Sequence, residues 1–424
     1  MVKKLMMAVA VLALATPSFA AVQNVKVGGD IVTTSIVRDN FGVGGAAARS
    51  IGRENQILAQ TRLTVAADLT DNVSTAVSLL NEQLWGTASN TVGIQNAYVT
   101  LKEFMYAPLT LTVGRQPLAY GNKLIIGNAG YVAGSGYAVT GLASDLTYST
   151  GFDAVKAVLA YEPLTIDMFA ARTSSNTSNS ISANSTHLNT NAYGVNANYK
   201  LGDKMSTVVE GYFFAKTVDA ATQSAATATY VPGLRVSMNP IEGLNVQLEG
   251  AYQLGRITDA TTGSNDNRNA FALQGGVNYA LPVLKDMKPV VGAEYTYLSG
   301  KALAAAPSNG KNWDPMFQDQ NAGRIFYALG MDSGVQRAAL SAEITPVKDL
   351  TTKATVTGLW NVTQSPSTAS KYLGSEADLD VTYAYTEDVK FGVSAGYLMT
   401  GKGIAPTADN KNASQLLSSV SVAF

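Results

Sequence analysis

Apolar and polar residues alternate one by one over stretches of ten to fifteen residues, and this pattern recurs along most of the chain. In residues 375–386, for example, apolar positions such as Leu379 alternate with Glu376, Asp378 and Asp380. Successive side chains of a β-strand point to opposite faces, so each stretch indicates a strand with one apolar and one polar face. Three carboxylates on one face also indicate that this face contacts water.

The alternation predicts eighteen strands, joined by connections that are short and long in turn. The longest connections are residues 117–149 and 300–334. Antiparallel barrels of bacterial outer membranes have short periplasmic turns and longer extracellular loops, which is the order found here. The sequence therefore predicts an all-β fold, a transmembrane up-and-down antiparallel β-barrel of about 18 strands that forms a single domain over residues 21–424. The predicted strands are residues 24–38, 55–69, 73–85, 93–104, 108–116, 150–161, 164–173, 190–201, 205–216, 229–239, 243–256, 268–280, 288–299, 335–346, 351–362, 375–386, 389–400 and 413–424.

The predicted strands have the length that a membrane crossing requires. About twelve residues rising ~3.3 Å each and tilted by about 40° span roughly 30 Å, more than the apolar band of ~25 Å in such barrels. Aromatic residues near strand ends, including Trp85, Phe214 and Tyr385, are expected to form girdles at the two membrane interfaces. A soluble β-sandwich or solenoid is the alternative, disfavoured because no short repeat appears and the strands are about twice the usual length.

The first twenty residues have the organisation of a secretory signal peptide. Lys3 and Lys4 precede the apolar run 5–15, and small residues around Ala20 form a cleavage site. We therefore predict that residues 1–20 are a signal peptide removed after Ala20, and that the chain is exported to the outer membrane. No later apolar run approaches the ~20 residues that a membrane-spanning helix needs.

Composition excludes several classes of function. Charged residues make up 14% of the chain, against ~25% in ordinary soluble domains. The 30 basic and 31 acidic residues nearly cancel, which argues against a nucleic-acid partner because such proteins show a concentrated basic patch. The sequence has no cysteine, so no disulfide framework holds it together outside the cytoplasm.

The residues needed for catalysis or for a metal site are scarce. His187 is the only histidine and lies in a stretch rich in Ser, Thr and Asn, where solvation is the simplest explanation. Without further His or any Cys, neither a zinc site nor a firmly held Ser-His-acid arrangement can be assembled. The carboxylates of Glu376, Asp378 and Asp380 could bind Ca²⁺, but such a row more often attracts facing bases or hydrated cations. We predict no catalytic residue, no metal site and no cofactor.

An eighteen-stranded barrel encloses a lumen wide enough for water unless something fills it, so a pore is the default function. Residues 117–149 are rich in glycine and poor in charge, which favours a loop that folds inward and narrows the pore. We expect Arg115 and Lys123 to face Asp145, Glu376, Asp378 or Asp380 across this constriction. The alternative is an ordinary surface loop. The second long loop, 300–334, is expected to be extracellular, either as a lid or as surface decoration.

Further candidate pore residues are bases on the predicted inward faces, namely Arg62, Lys156 and Arg337. Arg115 presents a difficulty, because strict alternation from Val113 would point it at lipid. A charge at mid-bilayer costs ~2–4 kcal/mol. Arg115 must therefore lie near the outer rim, or a bulge beside Gly114 must turn it inward.

Two stretches resemble known proteins. The alternating chain end from Leu416 to Phe424 resembles the C-terminal signal of bacterial outer-membrane barrels, which implies the barrel-assembly machinery as a partner. Residues 114–127, with the sequence GRQPLAYGNKLIIG, resemble a stretch of the alginate-export-like family of outer-membrane channels. Residues 151–156, 313–323 and 374–397 contain further similar pieces in the same order. The resemblance implies an eighteen-stranded channel.

The sequence also departs from this family, with Asn122 in place of an Asp and no Pro-Thr-Gly-His pattern after residue 315. An exporter of a polyanion is expected to line its lumen with Arg, whereas bases and acids balance on the inward faces here, so alginate is not carried over as the substrate. We predict a porin for passive or substrate-preferring diffusion of small hydrophilic solutes or ions, with saccharides among the candidates. The alternative is an adhesin or structural barrel with a plugged lumen. Expected partners are outer-membrane lipid and lipopolysaccharide, and homo-oligomer formation is left open.

Overall fold

A computed structural model describes residues 23–41, 53–87, 91–127, 144–148, 151–175, 189–218, 227–258, 265–301, 310–320, 323–364, 368, 370–404 and 412–424. The predicted signal peptide, residues 1–20, and His187 lie outside the described residues.

Eighteen antiparallel strands form one closed sheet, in which each strand pairs with its neighbours in sequence and the first pairs with the last. The closing pair runs in continuous register from Asp30 opposite Ala423 to Asp39 opposite Ser414. Short helical turns lie at Ser144–Leu146 and Lys285–Met287, and a helix, α1, covers Arg324–Ala328. The strands are β1 Gln23–Asp39, β2 Arg53–Thr70, β3 Val73–Leu84, β4 Val92–Leu101, β5 Leu109–Gln116, β6 Phe152–Tyr161, β7 Leu164–Ser175, β8 Asn189–Lys200, β9 Val208–Val218, β10 Thr227–Ile241, β11 Leu244–Thr258, β12 Asn265–Ala280, β13 Val290–Leu298, β14 Val335–Val347, β15 Leu350–Asn361, β16 Tyr372–Ala384, β17 Val389–Thr400 and β18 Ala413–Ala423.

All eighteen predicted strands are confirmed, and their ends agree with the structure to within three residues. The alternation of short and long connections is less strict than predicted. The turn at 281–289 is longer than the opposite-end connections 85–91, 219–226 and 259–264. The reasons are that β13 begins two residues later than predicted and that β9 to β12 continue into segments that the sequence pattern assigned to loops. The two longest connections, after β5 and after β13, lie at the same end of the barrel, the extracellular end by comparison with known barrels.

The two faces of the sheet differ as the alternation requires. Large apolar side chains cover the outer face, and Leu248, Leu340 and Val356 are each more than half exposed. A closed barrel satisfies the backbone N–H and C=O groups of its strands, which is the condition for crossing lipid. Among the described residues, no helix is both long enough and apolar enough to cross a membrane.

The apolar core lies inside the barrel rather than between layers. Its largest members come from the inward faces of the strands and from the two long connections, which meet in a parallel β-bridge between Ile126 and Phe317. The lumen at the extracellular side is therefore occupied by protein. The fully buried large side chains of this core include Leu118, Leu124, Ile125, Ile126, Phe152, Phe214, Trp313, Ile325 and Phe326.

Candidate functional site

Two connections fill the extracellular half of the lumen, and together with the wall residues they form the candidate site. Loop A is the connection from β5 to β6, described at residues 117–127, 144–148 and 151. Loop B is the connection from β13 to β14, described at residues 299–301, 310–320 and 323–334. Each loop is held by charged side chains on the inward faces of the strands.

Loop A begins against the wall formed by β9, β10 and β11. The backbone N–H groups of Gly121 and Asn122 donate to the carboxylates of Glu210 and Glu249, at 3.0 and 2.7 Å. Both carboxylates are almost fully buried, so each needs such donors. The ring of Tyr120 is buried beside them, and burial together with nearby carboxylates raises the pKa of its hydroxyl. These bonds fix residues 120–122 to the wall.

The end of loop A contacts the other side of the barrel. The Asp145 carboxylate accepts two hydrogen bonds from the Arg38 guanidinium, at 2.9 and 2.6 Å. The Tyr148 backbone N–H donates to Glu82 at 2.9 Å, and the Tyr148 hydroxyl donates to Asp30 at 3.2 Å. Burial and the Asp30 charge raise the pKa of that hydroxyl to about 12. Since β1 and β3 lie across the closed sheet from β9 to β11, the described parts of loop A contact opposite walls.

Loop B is anchored by a buried carboxylate between two bases. Asp314 lies 2.6 Å from Lys216 on β9 and 3.8 Å from Arg268 on β12. The Gln253 side chain donates to the Asp314 carbonyl at 2.7 Å. Burial alone would raise the pKa of the Asp314 carboxyl, but the positive charges of Lys216 and Arg268 outweigh it and hold that pKa below its usual value. Asp314 is therefore the charged centre of this anchor.

A second anchor of loop B lies at the start of α1. The Glu376 carboxylate is fully buried and accepts hydrogen bonds from the backbone N–H groups of Ile325 and Phe326, at 2.7 and 2.9 Å. Four residues further along β16, on the same face, Asp380 pairs with Arg324 at 2.6 Å. These contacts hold α1 against β16.

The two loops also bind each other. Lys123 of loop A pairs with Asp319 of loop B at 2.7 Å, and the Phe317 backbone N–H donates to the Ile125 carbonyl at 3.1 Å. The Gln320 side chain donates to the Asn122 carbonyl at 2.6 Å. The loops thus form one packed unit inside the barrel.

Three predicted pore bases face the lumen, each paired with an acid on an adjacent strand. The side chains stand at registers that place both partners on the inward face, so the pairs run across the wall rather than across the lumen. The pairs are Arg62 with Asp30 at 2.5 Å, Lys156 with Asp167 at 3.7 Å, and Arg337 with Glu294 at 2.7 Å.

The predicted pairing across the constriction is wrong in its partners. The predicted partners of Lys123 were Asp145 and the carboxylates of β16. Lys123 instead pairs with Asp319, and Asp145 pairs with Arg38. Loop B supplies the partner of Lys123 from a segment almost two hundred residues away, and nothing in the local sequence indicates that contact. On β16, Glu376 and Asp380 bind loop B as described above, and Asp378 lies between them. No group of three or more His, Cys, Asp or Glu within the described ranges is placed to hold a metal ion.

Arg115 is not a lumen residue, which corrects its assignment to the pore. It stands opposite Asp153 on β6 and donates two hydrogen bonds to that carboxylate, at 2.7 and 2.9 Å. Its face of β5 is the one that carries Val113, which is exposed on the outer surface. Because Arg115 lies one residue from the extracellular end of β5, its charge is at the rim and avoids the bilayer centre.

We expect the substitution Arg115→Ala to leave single-channel conductance unchanged, because the side chain lies outside the lumen. The measurement is the current of the refolded variant in a planar bilayer beside the wild type. A changed conductance would mean that Arg115 reaches the pore after all.

Several residues that anchor the loops were not among the predicted site residues. Lys216, Arg268 and Glu210 all face inward, and the alternation on their own strands would have indicated this. Phe214 was predicted for an interface girdle, but it is buried in the lumen, 5.4 Å from the ring of Tyr120. Phe214 lies four residues from Glu210 on β9, so the two side chains point to the same face. This spacing could have indicated that Phe214 faces the lumen.

Open space remains between the loops and the periplasmic end of the barrel. The inner cavity, of about 460 Å³, is lined by inward residues of β11 to β16 together with Gly323 and Arg324. A second space, of about 560 Å³, lies beside β1, β2 and Tyr148 on the other side. Hydroxyl, amide and charged side chains predominate on the wall of the inner cavity, which suits hydrated solutes.

Residues 24–416 match the sequence profile of the family described as alginate export. Among solved structures, Pseudomonas aeruginosa OccK11 (OpdR) is similar, with a TM-score of 0.59 at 11% identity over 95% of this chain and 96% of that chain. P. aeruginosa OpdK with vanillate gives 0.57 at 10% identity over 94% and 98%. P. aeruginosa OccK2 (OpdF) with glucuronate gives 0.58 at 10% identity over 95% and 98%. A comparison with curated proteins finds no match.

Identities this low establish the fold and no more. The closed barrel with its apolar outer face places the protein in a bacterial outer membrane. Because the family profile covers nearly all of the barrel, the chain belongs to the alginate export family.

Proposed function

We propose that the protein is an outer-membrane channel for diffusion of small hydrophilic solutes or ions, narrowed by loops A and B. The observation that carries this proposal is the inner cavity, a polar space of about 460 Å³ directly beneath the loops. A barrel that served only as a scaffold would have no need of a hydrated, charged lumen. The loops restrict the passage, and the walls beneath them favour solutes that exchange hydrogen bonds with water for those of side chains.

The class of solute can be inferred from the side chains that line the inner cavity. The structurally similar OpdK and OccK2 were solved with vanillate and with glucuronate, both small carboxylates. In the present barrel the inner cavity carries Glu294, Glu343, Asp378 and Asp380 against Arg324 and Lys353, so it does not favour a polyanion such as alginate. We propose small neutral solutes, saccharides included, and small ions as its cargo. This role requires no cofactor and no catalytic residue.

The mature protein, refolded into a planar bilayer, is expected to give stable current steps with weak ion preference. The mixed charges of the cavity wall are the physical reason, since selectivity follows the charges lining a pore. The measurement is single-channel conductance with the reversal potential under a salt gradient. Strong anion selectivity would contradict the proposed cargo.

A plugged adhesin or structural barrel is the second candidate. The apolar cluster within the lumen favours it, because Trp313, Phe326 and Ile126 leave little free volume among the loops. Absence of current through a barrel shown to be folded would support the plugged barrel and contradict the channel function.

The same recordings report the oligomeric state. Current steps that occur in groups of three would indicate a trimer, and single steps a monomer.

We propose lipopolysaccharide as the lipid partner at the outer rim. Arg172 and Arg256 point outward and are exposed near the extracellular ends of β7 and β11, where phosphate groups of the outer leaflet would lie.

We also propose that residues 1–20 direct export of the chain and that the barrel-assembly machinery recognises the strand ending at Phe424. If the signal peptide is removed after Ala20, sequencing the N-terminus of the mature protein should give Ala21 first.

A further inference from the structure

A small cavity above the inner cavity lies on the same stretch of wall. This upper cavity, of about 40 Å³, is lined by Leu298 and Thr296 of β13, Val335 and Arg337 of β14, and residues of both loops. Along these two strands the inner cavity continues toward the periplasm. Its lining there consists of Glu294 and Gly292 of β13 and of Ala339, Ser341 and Glu343 of β14.

The two cavities are thus stacked, and one layer of side chains separates them. Along β13, the boundary between the cavities lies between Thr296 and Glu294. Along β14, it lies between Arg337 and Ala339. The pair Arg337–Glu294, at 2.7 Å, spans this boundary. The boundary is therefore one layer of side chains that includes this ion pair.

Side chains around the pair hold it in place. The Gln274 amide donates to Gln320 at 2.6 Å and to Thr296 at 3.0 Å, and the Arg337 guanidinium also donates to Gln320 at 3.1 Å. Gln320 belongs to loop B, and its own amide donates to the backbone of loop A. The layer is therefore polar throughout and joins the wall to both loops.

At other places in the described residues, the loops are fixed directly to the barrel wall. Loop A is fixed to the β9–β11 wall through Glu210 and Glu249, and to the β1–β3 wall through Arg38 and Glu82. Hydrated solutes avoid apolar packing because each lost hydrogen bond costs free energy. On the β13–β14 wall, a polar layer lies between two cavities.

We propose that solutes pass along the β13–β14 wall, and that Arg337 and Glu294 form the selectivity filter between the upper and inner cavities. This inference rests on the proposed channel function. The filter presents one donor group and one acceptor group between the two cavities. In the inner cavity, four carboxylates outnumber two bases. We therefore expect a weak preference of the passage for neutral and cationic small solutes over anions.

Charge substitutions test the filter by reversal potential under a KCl gradient. Arg337→Gln should raise the preference for K⁺ over Cl⁻, and Glu294→Gln should lower it, each by roughly twofold or more because lining charges set selectivity. Arg115→Ala, on the outer surface, is the matched control and should change neither conductance nor selectivity. Unchanged selectivity in both filter variants, in barrels that still conduct, would overturn the filter while leaving the channel function intact.

Cysteine labelling tests the route independently, because the sequence has no native cysteine. A charged, water-soluble methanethiosulfonate reagent should reduce the current of Ala339→Cys, which lines the inner cavity, and leave Ala338→Cys, on the outer face, unaffected. Thr64→Cys places the thiol in the space beside β1 and β2. Block at Thr64→Cys without block at Ala339→Cys would show that solutes follow the other wall. Absence of any current in the unlabelled variants and the wild type would instead refute the channel itself.

Discussion

Replacing residues 117–149 with a short Gly-Ser turn should raise single-channel conductance severalfold. The described parts of loop A contact opposite walls and bury Leu118, Leu124, Ile125 and Ile126 in the lumen. Removing them takes away much of the material that fills the extracellular half of the barrel. An eighteen-stranded barrel without this filling encloses an aqueous pore.

The strands do not depend on loop A for their pairing, since β5 and β6 pair directly through eight residues. Heat-modifiable migration in detergent gels checks that the shortened protein is still a folded barrel. An increased current from such a barrel supports the constriction. A folded barrel with wild-type conductance would show that loop A does not limit the passage.

The second large effect is expected from Glu376→Ala. This change leaves the backbone N–H groups of Ile325 and Phe326 without their buried acceptor, and each unsatisfied buried group costs about 1–3 kcal/mol. Helix α1 should then detach from β16, with noisier and larger currents as loop B moves. Denaturant unfolding should show a lower free energy of unfolding. Tryptophan fluorescence is a suitable probe because Trp313 lies in loop B.

Glu376→Gln is the matched control. Its amide keeps one oxygen acceptor of the same length, so it should retain part of the stability and quieter currents. Equal loss of stability in both variants would mean that the charge of Glu376 matters more than its hydrogen bonds. Wild-type stability and current in Glu376→Ala would show that α1 is held by its apolar contacts alone.

The barrel could be predicted from the sequence because its cause is local. Two-residue alternation fixes which face of a strand is apolar, and shifting the register by one residue would bury polar groups in lipid. Strand β16, with Glu376, Asp378 and Asp380 on one face, illustrates this. The same alternation correctly predicted that Arg62 and Arg337 point into the lumen. It also pointed Arg115 outward, which is possible because Arg115 lies at the rim of the barrel.

The loop contacts could not be predicted in this way. The apolar run Leu124-Ile125-Ile126 in a loop indicates burial, but the partner surface comes from residues nearly two hundred positions away, such as Phe317. The Arg38–Asp145 pair likewise joins residues 107 positions apart. Alternation carries no information about such pairs, because they depend on how the closed sheet curves back on itself.

The closing seam of the barrel has a consequence for assembly in the membrane. Arg38 of β1 donates both to Asp145 of loop A and to Gln415 of β18, at 2.6 to 2.9 Å. Before β1 and β18 meet, this guanidinium has only part of its final set of partners. Seam closure and docking of the loop therefore share one guanidinium, so we expect each of them to stabilise the other during folding.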